Sequence, residues 1–447
     1  MISSRLREIF NSKLGIDISS ILLPQKNVDM QRWAVVACDQ FTSEPEYWED
    51  VHSFVGENPS TLHLIFPEAY LETESPEEKS NRIKKINENM NSYMKNQVFY
   101  ELTDSVVLVE RTFANGIKRH GIILAVDLEN YDYKKGSQSL IRATEGTIVD
   151  RLPPRICVRE NAPLELPHIM VLIDDKDKTV IEPLKEKKVS FSQVYSFELM
   201  KESGSIKGWK ISDEKDLENI ANGLLKLADK EGFKKRYGVD DKYGVLLFAV
   251  GDGNHSLATA KACWDKIKQT LSEDEAAVHP ARYALVEVVN VHDDGLVFEP
   301  IHRVIFNVDE NDLINEFREY FKNEKGWVAV TNEKPETKGH AIKFVTRDTQ
   351  GYLIVEKPSS NLEVGTLQKF LDDYINKHPD IRIDYIHGEE ITEKLGKQPK
   401  NMGFFLPHMD KNELFRTVIL DGVLPRKTFS MGEASEKRFY LEARKIR

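Results

Sequence analysis

Residues 243–271 read YGVLLFAVGDGNHSLATAKACWDKIKQTL. The apolar run at its start is typical of a buried strand, and the segment after the serine has helical spacing. Between them the glycines permit backbone angles that other residues avoid. A helix that starts directly after such a turn offers amides and the positive end of its dipole to an anion. This predicts a phosphate-binding turn made of Gly251, Asp252, Gly253, Asn254, His255 and Ser256.

The turn has other interpretations. Asp252 or Asn254 could simply cap the helix. His255 could bind a metal ion with Asp252, but no His-x-x-x-His pair or cysteine partner lies nearby, so we expect no dedicated metal site. The turn matches neither GxxxxGK[ST] nor GxGxxG, so it does not predict either familiar nucleotide-binding loop.

The sequence on both sides of the turn mixes hairpins with helices. Residues 105–113 and 118–128 are rich in β-formers and are joined at Asn115-Gly116, a strong hairpin signal. Residues 341–348 and 351–358 predict a second antiparallel pair, and helices are predicted near 77–91, 214–230 and 310–323. The pattern favours an α+β protein of mixed sheets with flanking helices.

Length and charge limit the function classes. A chain of 447 residues predicts more than one domain, and we expect regions at about 1–160, 161–305 and 306–447. With 62 basic and 73 acidic side chains the net charge is −11, which disfavours binding to nucleic acid or to anionic membranes. We find no signal peptide or membrane span, and the three cysteines are scattered, so we expect a cytoplasmic protein with reduced thiols.

Two carboxylates are candidates for a catalytic acid or base. Asp39 ends the apolar run 33–39, and catalytic carboxylates often lie at such strand ends. Glu44 follows closely, but Ser43 and Pro45 indicate that a helix begins there, and Glu44 is equally placed to complement the helix dipole. A structural interpretation therefore competes with the functional one at Asp39 and is favoured at Glu44.

A charged stretch between residues 142 and 159 is the candidate clamp for a polyanion. We expect an ordered surface loop with helical pieces, because Pro153-Pro154 should interrupt a helix. Guanidinium groups bind phosphate or carboxylate as a fork, although such runs are more often solvated faces. The candidates in and near this stretch are Arg142, Glu145, Asp150, Arg151, Arg155 and Arg159, and His302-Arg303 is a further, weaker candidate.

The order of these motifs resembles the family called domain of unknown function 1015. Its corresponding turn usually reads DGHHR or DGNHS before a TA-containing helix, and the present chain has DGNHSLATA at 252–260. Asp39, the charged stretch, His302-Arg303 and the tail 425–429 (PRKTF) follow in the family order. The resemblance spans the whole chain.

The resemblance also implies a function. The family turn is similar to one in ParB/sulfiredoxin-like proteins, including kinases that phosphorylate free serine, where it holds nucleotide phosphates and an acidic residue serves as base. This implies a ParB/sulfiredoxin-like nucleotide-binding core with additional α/β elements, ATP or ADP with Mg²⁺, and a catalytic role for His255 with Asp39 or Glu44. Asn254 and Ser256 replace the more usual histidine and arginine, so the turn lacks that arginine clamp.

Three functions remain open from the sequence. The first is a phosphotransferase, such as a small-molecule kinase, or a nucleotide hydrolase. The second is a noncatalytic sensor or regulator that binds a nucleotide or a phosphorylated metabolite, and the third is a structural interaction protein. The first two predict a small-molecule ligand, and the sequence does not specify the oligomeric state or the phosphoryl acceptor.

Overall fold

Segments far apart in the sequence meet in the first of two units. The computed structural model describes residues 2–18, 20–42, 44–71, 73–147 and 152–447. The first unit consists of Met1–Leu296 and Gly432–Arg447, and the second of Val297–Met431. The strands of the expected regions 1–160 and 161–305 share one sheet, and the end of the chain returns to that unit, so the observed division differs from the three expected regions.

Helices and strands are interspersed along the chain. The helices are α1 Ser4–Glu8, α2 Met30–Trp33, α3 Pro45–Val55, α4 Pro76–Lys95, α5 Leu152–Arg159, α6 Glu182–Lys187, α7 Glu214–Ala228, α8 Lys230–Tyr237, α9 Asn254–Lys268, α10 Glu273–Val278, α11 Glu310–Tyr320, α12 Glu363–Lys377, α13 Glu389–Gly396 and α14 Lys411–Asp421. The strands are β1 Ile16–Asp17, β2 Ile21–Pro24, β3 Val35–Val36, β4 Phe99–Leu102, β5 Val106–Thr112, β6 Lys118–Asp127, β7 Tyr131–Asp132, β8 Ile141–Ala143, β9 Leu164–Glu165, β10 Met170–Ile173, β11 Ser192–Glu198, β12 Ser205–Ile211, β13 Phe248–Asp252, β14 Tyr283–Asn290, β15 Phe298–Phe306, β16 Gly326–Ala329, β17 His340–Val345, β18 Gln350–Val355, β19 Arg382–His387, β20 Asn401–Phe405, β21 Phe429–Met431, β22 Phe439–Tyr440 and β23 Arg444–Lys445.

A mixed sheet forms the centre of the first unit. Its strand order is β11-β12-β5-β6-β14-β10-β13-β8-β7, and β1 also pairs with β6. β10 runs parallel to β14, and β8 runs parallel to β13 and β7, whereas the other pairs are antiparallel. The hairpin predicted at Asn115-Gly116 is confirmed, since β5 and β6 pair from Val107–Ile123 to Thr112–Lys118.

Both faces of this sheet are buried. Along β5, Val106 and Leu108 belong to one apolar cluster, and Val107 and Val109 belong to another, as the alternation of a strand requires. The first cluster contains side chains of α7 and α9, and the second contains side chains of α3 and α4. The predicted α+β class, with a mixed sheet and flanking helices, is therefore confirmed.

The second unit has its own sheet and core. Its strand order is β16-β18-β17-β20-β15-β19, with β21 paired to β15. The antiparallel pair predicted at 341–348 and 351–358 is confirmed as β17 and β18. Side chains of α11 and α12, including Phe317 and Phe370, pack with sheet residues such as Phe344 in one apolar cluster.

Local predictions differ from the structure in three places. Pro153-Pro154 lies in the first turn of α5 instead of interrupting a helix, because proline needs no intrahelical acceptor there. The helix predicted at 214–230 ends at Ala228, where Asp229 starts α8 as a side-chain cap. The strand predicted at 33–39 pairs only through Val35 and Val36.

Helix α3 begins at Pro45 as expected, while Ser43, the predicted cap, lies outside the described residues.

Within the described ranges, no helix has the length and apolar character needed to cross a membrane.

Candidate anion-binding site

The glycine-rich turn forms as a strand, a left-handed glycine and a helix. β13 ends at Asp252, Gly253 has φ 77°, and α9 begins at Asn254. A Cβ atom at Gly253 would lie 3.0 Å from the Cα atom of Ile169, so both the angle and the space require glycine. Gly253 is also the N-cap and supplies no side-chain acceptor. The first-turn amides of α9 therefore point beyond the helix without an acceptor from a cap side chain, which is the geometry that binds anions.

Asn254 holds the turn against the end of β8. Its Oδ1 atom accepts from the backbone N–H of Thr144 at 3.2 Å, and its Nδ2 atom donates to the carbonyl of Val250 at 3.3 Å. Because both ends of the buried amide are used in this way, the Asn254 side chain positions the turn, and its backbone amide remains part of the candidate site.

Lys437 connects the turn with Asp39. Its Nζ atom lies 3.1 Å from Oδ2 of Asp252. The strand register explains the position, because Val36 pairs with Phe439 and Ala37 donates to the carbonyl of Arg438. The residues that follow β3 thus lie beside those that precede β22, and Asp39 comes close to Lys437.

The surroundings of Asp39 favour its ionised form. Burial acts to raise the pKa of Asp39, but the charge of His168, a hydrogen bond from Gln40 and the charge of Lys437 together hold that pKa below its ordinary value. Gln40 donates to Oδ1 of Asp39 at 3.0 Å. A carboxylate at this position can therefore orient a hydroxyl group or a water molecule at neutral pH.

His168 links the helix start to the C-terminal segment. Its Nε2 atom lies 2.9 Å from Oγ of Ser256, and its Nδ1 atom lies 2.9 Å from the hydroxyl of Tyr440. The Tyr440 oxygen also accepts from the backbone N–H of Cys38 at 3.3 Å. His168 therefore connects the first turn of α9, through Ser256, to β22, through Tyr440.

A cavity of about 140 Å³ lies beside the hydrogen-bonded side chains of Ser256, His168 and Tyr440. Ser256 and His168 line it together with Arg155 and Arg159 of α5. Arg155 donates to both carboxylate oxygens of Glu68, at 2.5 and 2.6 Å. Burial raises the pKa of Glu68 against the opposing charge of Arg155, and nearby Asp39 raises it further.

The other clamp candidates have different positions. Arg159 lines the same cavity as Ser256 and donates to Glu165 at 2.5 Å. Arg142 is buried in β8 and donates to the carbonyls of Ser139 and Gly244 at 2.8 and 2.5 Å, so its guanidinium supports a loop. Glu145 is half-buried shortly after β8. Asp150 and Arg151 lie outside the described residues.

The remaining candidates lie at the start of α3, in the first turn of α9 and in the second unit. Glu44 is exposed at the start of α3 and makes no side-chain capping bond. His255 is half-buried in the first turn of α9, and its carbonyl accepts from the Thr259 hydroxyl at 2.7 Å. His302 and Arg303 are buried in β15 of the second unit, where His302 Nδ1 accepts from the Leu406 N–H at 3.1 Å.

Sequence reasoning missed Lys437, His168, Tyr440 and Glu68. Only His168 had a usable signal, since it lies two residues before the apolar run that forms β10. Met170 lies opposite Asp252 in the antiparallel pair of β10 and β13. Because β13 ends at Asp252, His168 lies beyond that strand end and next to the start of α9. Lys437 and Tyr440 reach the site through a pairing across the whole chain, which no local pattern indicates.

Across the part of the chain that the structure describes, no group of three or more His, Cys, Asp or Glu side chains could hold a metal ion.

Comparison with known proteins gives a family and several distant structural similarities. The family described as "Protein of unknown function (DUF1015)" matches residues 22–374, and the chain belongs to this family. No curated protein matches the sequence. The chain is similar to a free serine kinase variant in complex with AMP, with 12% identity, a TM-score of 0.39, and coverage of 71% of this chain and 90% of that chain.

Two further structures are similar at the same level. A conserved hypothetical protein from Pyrococcus furiosus has 13% identity and a TM-score of 0.34, with coverage of 71% of this chain and 90% of that chain. SbnI with a C-terminal truncation from Staphylococcus aureus has 11% identity and a TM-score of 0.36, with coverage of 69% and 83%.

Proposed function

We propose that this member of the DUF1015 family binds the phosphates of a nucleotide at the first turn of α9 and transfers or hydrolyses the terminal phosphoryl group. One observation carries the proposal. α9 starts at a left-handed glycine without a side-chain cap, and Lys437 and His168 connect that start to an ionised Asp39. An anion site next to a carboxylate is the minimum that phosphoryl transfer needs, because the reaction depends on positioning and electrostatics.

The donors at the turn suit a phosphate. Amides of the first turn of α9 and the Ser256 hydroxyl would bind phosphate oxygens, and His255 would add a donor from the same turn. Lys437 balances the charge of Asp252, which would otherwise repel the ligand. Arg159 and Glu145 remain proposed clamp residues, as does Arg151.

Asp39 is the proposed base. Its pKa lies below the ordinary value, so it is ionised at neutral pH and can accept a hydrogen bond from an acceptor hydroxyl. Glu44 is a weaker candidate because it is exposed and makes no capping bond.

Mg²⁺ would enter with the nucleotide. Protein sites for Mg²⁺ commonly use one or two carboxylates together with substrate phosphates. Asp39 and Asp252 are carboxylates of the right chemical type close to the turn, and the missing ligands would come from the phosphates and water. We also propose that the sheet of the first unit is a ParB/sulfiredoxin-like core, which is supported by the order strand, glycine turn, helix.

A crystal soaked with ADP and Mg²⁺ tests the site. We expect a phosphate within hydrogen-bond distance of the backbone of 253–256, and ADP bound elsewhere with distant phosphates would overturn the assignment. Release of nucleoside diphosphate from ATP, measured across a pool of hydroxylated metabolites, tests the reaction. If the protein binds ATP at the turn but never turns it over, the sensor interpretation replaces the enzyme.

A further inference from the structure

The cavity beside α9 has a polar patch and an apolar remainder. Ser256, His168, Tyr440 and Cys38 are lining residues that are connected by hydrogen bonds. The rest of the lining is mainly aliphatic and aromatic, and includes Leu64, Phe66, Met90, Leu166, Ile169 and Leu285. A molecule in this cavity would therefore bury an apolar body and place a polar group at the start of α9.

Among the described lining residues, the carboxylates are paired with guanidinium groups. Glu68 receives both hydrogen bonds from Arg155, and Glu165 receives hydrogen bonds from Arg159 and from Arg444, the latter at 2.8 Å. A ligand carboxylate or ammonium group would have to break one of these pairs, which is costly in a partly desolvated site. The lining thus favours an uncharged ligand.

The size of the cavity indicates how much of a ligand it can enclose. The cavity is partly open to solvent, and its volume of about 140 Å³ is enough for an apolar group the size of a benzene ring, since a cavity of about 150 Å³ in another protein binds benzene. The hydrogen-bonding group closest to the turn is the Ser256 hydroxyl, which pairs well with another hydroxyl.

We infer that this cavity binds a small, neutral, largely apolar alcohol, with its hydroxyl group toward Ser256 and His168. Resting on the function proposed above, this alcohol is the phosphoryl acceptor. Its oxygen forms a bond to the terminal phosphorus of ATP as the bond from that phosphorus to the bridging oxygen breaks. The electron pair leaves with ADP, and the hydroxyl proton passes to Asp39.

Benzyl alcohol is the probe for this inference. We expect it to raise the midpoint of thermal unfolding of the full chain in a saturable way, because a ligand that binds only the folded state stabilises it. Benzoate, which is charged, and L-serine, which lacks an apolar body, should give no shift at the same concentrations. ADP is measured in parallel as the probe of the nucleotide site.

A matched pair of substitutions locates the binding. Leu166 and Leu225 are both half-buried leucines of the first unit, but only Leu166 lines the cavity. Leu166→Phe should abolish the shift with benzyl alcohol and keep the shift with ADP, whereas Leu225→Phe should keep both. Leu71→Phe, also in the lining, serves as a second filling variant if Leu166→Phe does not fold.

The outcomes separate this inference from the proposed function. A shift with ADP but none with benzyl alcohol overturns the cavity assignment and leaves nucleotide binding intact. A benzyl alcohol shift that survives both filling variants, or a shift with L-serine or benzoate of equal size, also overturns it. A cavity-dependent alcohol shift without any ADP shift supports the ligand class and overturns the role of the alcohol as acceptor.

Discussion

Asp39 and Glu44 are five residues apart, and the structure gives them different environments. Asp39 interacts with His168 and Lys437, whereas Glu44 is exposed. We expect Asp39→Asn to keep nucleotide affinity and to lower the turnover rate by about 10²-fold or more, because the amide keeps the shape but cannot accept the proton. Glu44→Gln, the matched control, should leave the rate within a factor of about two, since an exposed surface substitution has little effect. Equal loss in both variants would contradict the assignment; kcat and nucleotide Kd are the measurements.

Lys437 offers a second test of the proposed site. Removing its charge in Lys437→Met leaves Asp252 without its ion-pair partner and should weaken ADP binding about tenfold, the effect of losing a charge-assisted contact of about 1.4 kcal/mol. Lys437→Arg should restore much of the affinity. Lys445→Met removes an exposed lysine of the same C-terminal segment and should change nothing. Calorimetric titration with ADP measures all three, and unchanged affinity in Lys437→Met would remove this residue from the site.

The ionisation of Glu110 should make the free energy of unfolding depend on pH. Burial acts to raise the pKa of Glu110, but hydrogen bonds from Lys188 and His120 and the charge of Lys188 lower it from 4.5 to about 2. Because the folded state holds this pKa down, the stabilisation is present above pH 4.5 and is lost as the pH falls toward 2. Glu110→Gln should therefore be less stable than the wild type at pH 7, with a smaller difference at pH 3.

Urea unfolding at both pH values measures this difference in the free energy of unfolding. Glu46→Gln, at an exposed position, is the control and should follow the wild-type curve. A Glu110→Gln variant with the wild-type pH dependence would show that the carboxylate is not held by its neighbours in solution.

The start of α9 depends on a single glycine, Gly253. Gly253→Ala must accommodate φ 77° and a Cβ atom 3.0 Å from the Ile169 backbone. We expect a loss of about 1–3 kcal/mol in the free energy of unfolding, together with weaker ADP binding. Gly146→Ala is the control, because no atom of the described residues lies within 4 Å of its added Cβ. If Gly253→Ala keeps wild-type stability, the left-handed conformation is not required.

The same element shows what the sequence could and could not predict. The apolar run, the glycine turn and the helical spacing predicted β13 and α9, because these are local consequences of period and backbone freedom. The roles of Asn254 and Arg142 were not predictable, since each depends on carbonyls or amides that distant loops bring close. A polar side chain in a site motif can support the backbone instead of contacting the ligand.

The sequence did not indicate how the C-terminal segment joins the first unit. β22 and β23 are short and have no turn signal that connects them to β3 and β9, yet these pairings bring residues near position 440 to the first unit. The polar network behind them is equally nonlocal: Arg438 donates to Glu287 and Glu442, and Tyr195 donates to Glu442 at 2.6 Å. Long-range pairings of this kind come from the global fold and leave no periodic trace.

Removal of residues 432–447 tests whether this segment is part of the first unit. Truncation after Met431 deletes β22, β23 and Arg438, and leaves the buried Glu287 without its hydrogen-bonded guanidinium, while Arg119 stays 3.9 Å away. Breaking a buried ion pair costs about 3–5 kcal/mol when no partner remains, and Arg119 reduces that cost, but lost strand pairing adds to it, so we expect the first unit to unfold at lower urea concentration. Tryptophan fluorescence mainly reports this unit, because Trp33, Trp48, Trp209 and Trp264 lie in it and only Trp327 lies in the second unit.

The control deletes only the exposed Arg447, which should leave the unfolding midpoint unchanged. Arg438→Met then separates the effect of the lost charge from the effect of the lost strands. It keeps β22 and β23 and removes only the guanidinium, so it should account for the electrostatic part of the loss while the remainder belongs to the pairing. A truncated chain that unfolds at the wild-type midpoint would mean that the C-terminal segment merely lies on the first unit, and Lys437 and Tyr440 could then not be fixed parts of the site.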